Sequence, residues 1–199
     1  MLSINQKIVK RTFDVILAII LFFFIWWIIV LLFIISFLDT KKPGIIVQKR
    51  IGLNGLPFKI YKIRTMKSLE NENDTTITIK GDKRITKIGR FIRRFKLDEL
   101  PQIINVLIGN MSFVGPRPDV EGYANKLEGE NRIILTIKPG ITGPASIHFK
   151  NEEEILEKQQ DPKNYNDTII WPKKVEINKA YIENYTLLND IKYIFKTLI

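Results

Sequence analysis

The stretch VILAIILFFFIWWIIVLLFIISFL, Val15 to Leu38, carries no charge and one clearly polar residue, Ser36. As a helix rising about 1.5 Å per residue it is long enough to cross the ~30 Å hydrocarbon core of a bilayer. A secretory leader has a shorter apolar region, about 7 to 15 residues, ended by a small-residue cleavage site. Neither feature is present, so the segment reads as a retained membrane anchor. Basic residues flank it on both sides, Lys7, Lys10 and Arg11 before it and Lys41 and Lys42 after it. The positive-inside bias therefore gives no direction of crossing, and the symmetry suits a helix entering and leaving by one face better than a spanning one. Asp14, at the start of the apolar run, costs free energy unless it pairs with Lys10 or Arg11 or stays at the interface.

The chain has 199 residues, enough for one ordinary domain of roughly 100 to 200 residues with an attachment device. Lysine and arginine outnumber aspartate and glutamate by 31 to 21, a formal charge of +10. That excess points to an anionic partner: phosphate, nucleic acid or an acidic membrane surface. No cysteine is present and His148 is the only histidine. Disulfide frameworks, thiolate metal sites, histidine-based zinc and a Ser-His-Asp triad are thereby set aside. Nucleophile and acid–base chemistry falls to carboxylates.

Beyond the anchor, GIIVQKRIGLNGLPFKIYKIRTM (Gly44 to Met66) alternates apolar and polar residues around Asn54-Gly55, which predicts a β-hairpin. Residues 67 to 82 are polar and aperiodic, as in a surface loop or lid. Ile85, Ile88, Phe91, Ile92 and Phe95 then recur at helical spacing among Lys87, Arg90, Arg93 and Arg94. This is a basic amphipathic helix, either a core helix with a solvated face or one that meets membrane or phosphate. Leu100, Ile103, Ile104 and Leu107 continue into a second helix stopping near Gly109. Asp98 is placed to cap its N-terminus, with Pro101 in the first turn. VGPRP (Val114 to Pro118) and KPGITGP (Lys138 to Pro144) are turn clusters. Val175 to Ile199 reads as helical with a tyrosine-rich apolar face.

Asp98 and Glu99 stand side by side in FKLDELPQIINVLIGNMSFVGPRP (Phe95 to Pro118). Spacing alone makes them a cap and a first-turn acid favoured by the helix dipole. The surrounding cations, Lys62, Arg64, Arg93, Arg94 and Arg117, allow another reading. Basic side chains and a divalent metal could hold a diphosphate there while a carboxylate attacks phosphorus.

The ordered series KRTFD (Lys10 to Asp14), QKRIGLNGLPFKIYKIRTM (Gln48 to Met66), DKRITKIGRFIRRFKLDELPQIINVLIGNMSFVGPRP (Asp82 to Pro118) and KPGITG (Lys138 to Gly143) covers nearly the whole chain. It resembles the bacterial sugar transferases, the monotopic phosphoglycosyl transferases that begin cell-surface glycan assembly. The resemblance implies transfer of a sugar 1-phosphate from a UDP-sugar donor to a polyprenol phosphate acceptor, releasing UMP. It implies Asp98 as nucleophile, with a covalent phosphosugar intermediate, and Glu99 assisting through metal or proton. Asp98 and Glu99 would hold Mg2+, and Lys62, Arg64, Arg93 and Arg117 would bind phosphate.

The expected fold is α+β. Residues 1–40 form a membrane-anchoring, re-entrant helix, and residues 41–199 a cytoplasmic catalytic domain of a hairpin or small sheet with amphipathic interfacial helices. Its location is the bacterial inner membrane, in contact with lipid and without nucleic acid. Oligomeric state, a homo-oligomer included, is left open. Several positions depart from the family pattern: Trp26-Trp27 stand where a Ser-Pro break is common, Asn110 and Asn178 where aspartates are usual, and GPASIHFKN (Gly143 to Asn151) where GLAQVNGRN is common. A membrane-anchored module that binds anionic lipid or an assembly partner without chemistry is the alternative.

Overall fold

A computed structural model describes residues 1–67, 82 and 84–198. The expected loop or lid, 67 to 82, lies outside the described residues except at its two ends. Ser3 opens α1 (Ile4–Thr40): its hydroxyl accepts the Gln6 N–H, and the Gln6 side chain accepts the Ser3 N–H. Two of the free donors at the helix start are thus satisfied reciprocally. The helix then runs without interruption through Trp26 and Trp27. The mid-helix break expected from the resemblance is absent. No proline or glycine occurs between Ile4 and Thr40 to remove a backbone hydrogen bond.

One stripe of α1, including Lys10, Asp14, Ala18, Ile29, Leu32, Ser36 and Thr40, is buried against the rest of the chain. Phe23, Phe24, Trp26 and Trp27 face outward, each more than half exposed. The charged residues in this stripe meet partners far away in sequence. Lys10 Nζ lies 2.5 Å from Asp190, which also accepts the Tyr181 hydroxyl at 2.6 Å. Arg11 donates to the carbonyls of Val106 and Leu107 at 2.6 and 2.9 Å. Asp14 accepts the Phe113 N–H at 3.1 Å, so its hydrogen bond comes from a strand rather than from Lys10 or Arg11. At the other end the Ser36 hydroxyl donates to the Arg64 carbonyl at 2.6 Å, and Asp39 accepts from Thr86. Both ends of α1 are therefore bonded to one body, and the helix lies along it.

β1 (Ile45–Ile51) and β2 (Pro57–Ile63) form the expected antiparallel hairpin, Ile45 opposite Ile63 and Ile51 opposite Pro57. Its turn uses the left-handed φ of Asn54 (58°) and Gly55 (80°), which this dipeptide tolerates. Ile46 faces Lys62, Gln48 faces Ile60, and Arg50 faces Phe58. With alternation along each strand, Gln48, Arg50, Lys62 and the buried Ile60 share the inner face. The outer edge of β2 is closed by one side chain. Fully buried Asn105 accepts the Tyr61 N–H at 3.2 Å and donates to the Lys59 carbonyl at 2.7 Å, taking the place of a third strand.

Thr86 caps α2 (Lys87–Arg94) by accepting the Gly89 N–H. Gly89 and Ile92 of α2 are buried, Ile92 against Leu32 and Ile63, but Ile88, Phe91 and the following Phe95 are exposed, so most of the apolar stripe does not face the core. A left-handed Lys96 (φ 55°) turns the chain into a 3-10 turn at Leu97–Glu99, and α3 (Gln102–Leu107) follows. The expected cap is corrected here: Asp98 lies ahead of the helix, Pro101 occupies the cap position, and no side chain caps α3.

β3 (Ser112–Val114) pairs in parallel with β4 (Gly140–Thr142), joining the two Gly/Pro clusters. The Gly140 N–H donates to Pro116 and the Gly115 N–H to Thr142, both at 2.9 Å. A Cβ at Gly115 would lie 2.5 Å from the Lys138 carbonyl, and one at Gly140 2.2 Å from Gly115 N, so only glycine permits this approach. α4 (Pro144–His148), α5 (Glu152–Glu157), α6 (Pro162–Tyr165), a π-helical turn at Asn166–Ile170, α7 (Trp171–Glu183) and α8 (Leu187–Leu198) complete the α+β fold. Tyr181 and Tyr185 are buried on the face that receives Lys10. Val106, Met111 and Val114 sit at the centre of a core that also takes in Leu2, Ala18 and Ile29.

Removing one member of a buried ion pair leaves an uncompensated charge. Asp190→Ala is expected to destabilise the protein by about 3–5 kcal/mol in denaturant unfolding in detergent. Lys10→Met combined with Asp190→Leu recovers most of that loss, because neither charge is then stranded.

Candidate functional site

Three chain segments converge on Glu99. The 3-10 turn carries the carboxylate, the inner face of β2 brings Lys62, and the Pro116-Arg117-Pro118 loop brings Arg117. Lys62 Nζ and an Arg117 guanidinium nitrogen both reach Glu99 Oε1, at 2.9 and 2.8 Å. Glu99 is buried, with 9% of its surface exposed, while the Arg117 side chain remains 44% exposed and open to a ligand. Burial by itself would raise the Glu99 carboxyl, but Arg117 and Lys62 outweigh it and hold it well below the usual range. Burial lowers the Lys62 ammonium, and Glu99 opposes that shift.

Asp98, next in the chain, is in the opposite condition. Its carboxylate takes part in no hydrogen bond or ion pair among the described residues, and it is half-buried. Burial raises its carboxyl above the usual range, with Lys62 opposing and Glu99 reinforcing the shift. The reason is local geometry. A cap at Asp98 would serve the N–H groups of residues 100 and 101, but the Leu100 N–H already donates to Leu97 and Pro101 has none. Two adjacent carboxylates pushed apart in this way suit two different tasks: one held ionised as a fixed strut, the other unshielded and available.

The cations expected at the site divide. Lys62 and Arg117 are in it. Arg93 is near enough to act on Asp98 and is ion-paired to Glu153 of α5 at 3.0 Å. Arg64 follows the end of β2 at Ile63, and its Nε donates to the Pro43 carbonyl at 2.8 Å. It belongs to the connection after α1. Two residues missed in the sequence also face this region. Arg50 and Asp119 lie close to Arg117, and burial outweighs Lys174, Arg117 and Arg50 to push the Asp119 carboxyl up to about 6. Strand parity could have found Arg50, which shares the inner face with Lys62. Nothing local marks Asp119. His148 packs edge-on against Phe149, and the Asn178 side-chain oxygen is buried on α7 without a partner among the described residues.

The oxygen donors fit a hard divalent cation. No group of three or more acidic, histidine or cysteine side chains gathers among the described residues. Magnesium, however, is commonly held by one or two carboxylates with water and substrate phosphate completing the shell. Asp98 and the second oxygen of Glu99 accept no hydrogen bond among the described residues and offer those carboxylates.

The sequence that builds this site is shared with known proteins. The bacterial sugar transferase family matches residues 5–199, and this chain belongs to it. It is 38% identical over 202 residues to the UDP-glucose:undecaprenyl-phosphate glucose-1-phosphate transferase of Escherichia coli K12, spanning 99% of this chain and 41% of that protein. It is 36% identical over 192 residues to the uncharacterized sugar transferase EpsL of Bacillus subtilis, 96% of this chain and 86% of that one. A glucose-1-phosphate transferase of the same description from Caulobacter vibrioides is 32% identical over 193 residues, 95% of this chain and 68% of its own length. The chain thus spans about two fifths of the Escherichia coli relative.

A carboxyl held low in the folded state stabilises the fold above its unfolded pKa, and that contribution is lost as pH falls towards the folded value. Unfolding of wild type and Glu99→Gln is therefore expected to differ most above about pH 4.5, the ordinary glutamate value. The difference narrows steadily on acidification below it. A gap that widened towards low pH would contradict the Lys62–Glu99–Arg117 pairing.

Proposed function

We propose that this protein transfers a sugar 1-phosphate from a UDP-sugar to a polyprenol phosphate at the cytoplasmic face of the bacterial inner membrane. This is the first membrane step of surface glycan assembly. The observation that carries the mechanism is the contrast within the dyad: Glu99 engaged by two cations, Asp98 without a hydrogen bond. An Asp98 oxygen attacks the phosphorus bearing the sugar, and the bond from that phosphorus to the bridging oxygen breaks, releasing UMP. The sugar phosphate is left on Asp98 as an acyl phosphate. A phosphate oxygen of the polyprenol phosphate then attacks the same phosphorus, freeing the Asp98 carboxylate and giving polyprenyl diphosphate sugar.

Each neighbour has a part in this. Arg117 presents a planar fork to phosphate oxygens from a loop held by two prolines and the β3–β4 pairing, so little ordering is needed on binding. Lys62 adds a buried positive charge beside the transferring group. Glu99 positions both cations. Magnesium bound to Asp98 and Glu99 would offset the repulsion between the anionic nucleophile and the diphosphate.

The polyprenol phosphate carries its charge at the membrane surface and its tail in lipid, so the site must stay at that surface. The outward apolar face of α1 supports this, as do Ile88, Phe91 and Phe95 exposed on α2 among Lys87, Arg90 and Arg94. Relatives named as undecaprenyl-phosphate sugar-1-phosphate transferases support the reaction class.

With detergent-solubilised protein, magnesium, a panel of UDP-sugars and polyprenol phosphate, acceptor-dependent UMP release is expected from one donor. Chelation stops the release and added magnesium restores it. Asp98→Asn, folded by circular dichroism, is expected to lose roughly three orders of magnitude or more in turnover. Full turnover by that variant, or lipid binding without UMP from any donor, would leave a membrane-anchored binding module as the reading.

A further inference from the structure

Two arginines border the dyad, and among the described residues each is held by a single nitrogen. Arg117 donates to Glu99 at 2.8 Å. Arg93, in the last turn of α2 and five residues before Asp98, donates to Glu153 at 3.0 Å. The other N–H groups of both guanidinium groups have no acceptor among the described residues, and the two side chains keep 44% and 26% of their surface exposed. Neither the unpaired Asp98 oxygens nor the unpaired Arg93 nitrogens are buried among the described residues, so both reach solvent. Arg93 also acts on the Asp98 carboxyl, lowering it against the effect of burial. Glu153 is itself well placed to hold an arginine. Its neighbour Glu152 accepts Lys174 of α7 on both oxygens at 2.7 Å, and Leu156 of the same helix is buried. α5 is thereby fixed to the body and presents Glu153 to α2.

An ion pair exposed to this degree contributes little to stability. What it can do is orient. A long arginine side chain loses rotamer freedom when it grips phosphate, and one already held by a carboxylate loses less. Arg117 has that arrangement through Glu99. We propose that Glu153 is the corresponding positioning residue for Arg93, holding one nitrogen so that the rest of the guanidinium fork meets the donor diphosphate beside Asp98. This rests on the reaction proposed above and brings α5, a segment outside the dyad and its loops, into that reaction. The opposite arrangement, in which the acid withholds Arg93 from phosphate, predicts a gain when Glu153 is removed, and the test separates the two.

The experiment is a double-mutant cycle on the full chain, reading kcat/KM for the UDP-sugar in acceptor-dependent UMP release. Glu153→Ala is expected to lose about 5- to 20-fold while its unfolding temperature stays that of wild type. Glu153→Gln, which still offers an oxygen to the same nitrogen, is expected to fall between. In an Arg93→Ala background the Glu153→Ala change is expected to alter kcat/KM by less than about twofold, because no fork remains to be oriented. An equal loss in both backgrounds, no loss in Glu153→Ala, or a gain in it overturns the inference while the reaction stands. If wild type releases UMP from no donor, the reaction falls and the inference with it.

Discussion

The site depends on one buried carboxylate, Glu99, shared by Lys62 and Arg117. An ionised group taken out of water is tolerated only when paired and hydrogen-bonded, so the position of Glu99 fixes both cations. Those cations arrive from parts of the chain with no other reason to meet: an antiparallel hairpin and a loop between two prolines. Around this junction the rest of the fold holds position. Asn105 closes the β2 edge that carries Lys62, and the parallel β3–β4 contact fixes the segment that carries Arg117.

The second constraint concerns the anchor. Three of its charged residues look costly for a membrane helix, yet each of the three has an address in the folded body: Lys10 on α8, Arg11 on the last carbonyls of α3, and Asp14 on β3. Arg11 also adds positive charge at a helix C-terminus, where the dipole favours it. Through α3 and β3 the anchor is one step removed from the segments bearing the dyad and Arg117. The helix therefore orients the site as well as retaining it, leaving its outer aromatic and aliphatic face for lipid.

What could be read from the sequence was what depends on neighbours. Hydropathy marked the long apolar helix, alternation around Asn54-Gly55 the hairpin, and the adjacent acids the turn on which Lys62 and Arg117 converge. What escaped it depends on distant contacts. The pairing of the two Gly/Pro clusters is set by residues 28 positions apart, Ser112 with Gly140 and Val114 with Thr142. The fate of Arg64 turns on where β2 stops, and Asp98 escaped its capping role because a left-handed Lys96 and a 3-10 turn intervene before α3. The unbroken α1 follows from the absence of proline, whereas the basic residues at both ends had suggested a helix entering and leaving the membrane by one face.

The central claim is that the carboxylate without a hydrogen bond, Asp98, becomes covalently bonded to phosphorus. Intact-protein mass spectrometry after mixing with the productive UDP-sugar and magnesium, without polyprenol phosphate, tests it most directly. The account predicts a mass gain of one sugar phosphate, mapped by peptide analysis to Asp98 and discharged when polyprenol phosphate is added. UMP release at full rate with acceptor present, with no adduct at any time after mixing and no loss in Asp98→Asn, would contradict it and point to direct transfer between the two substrates.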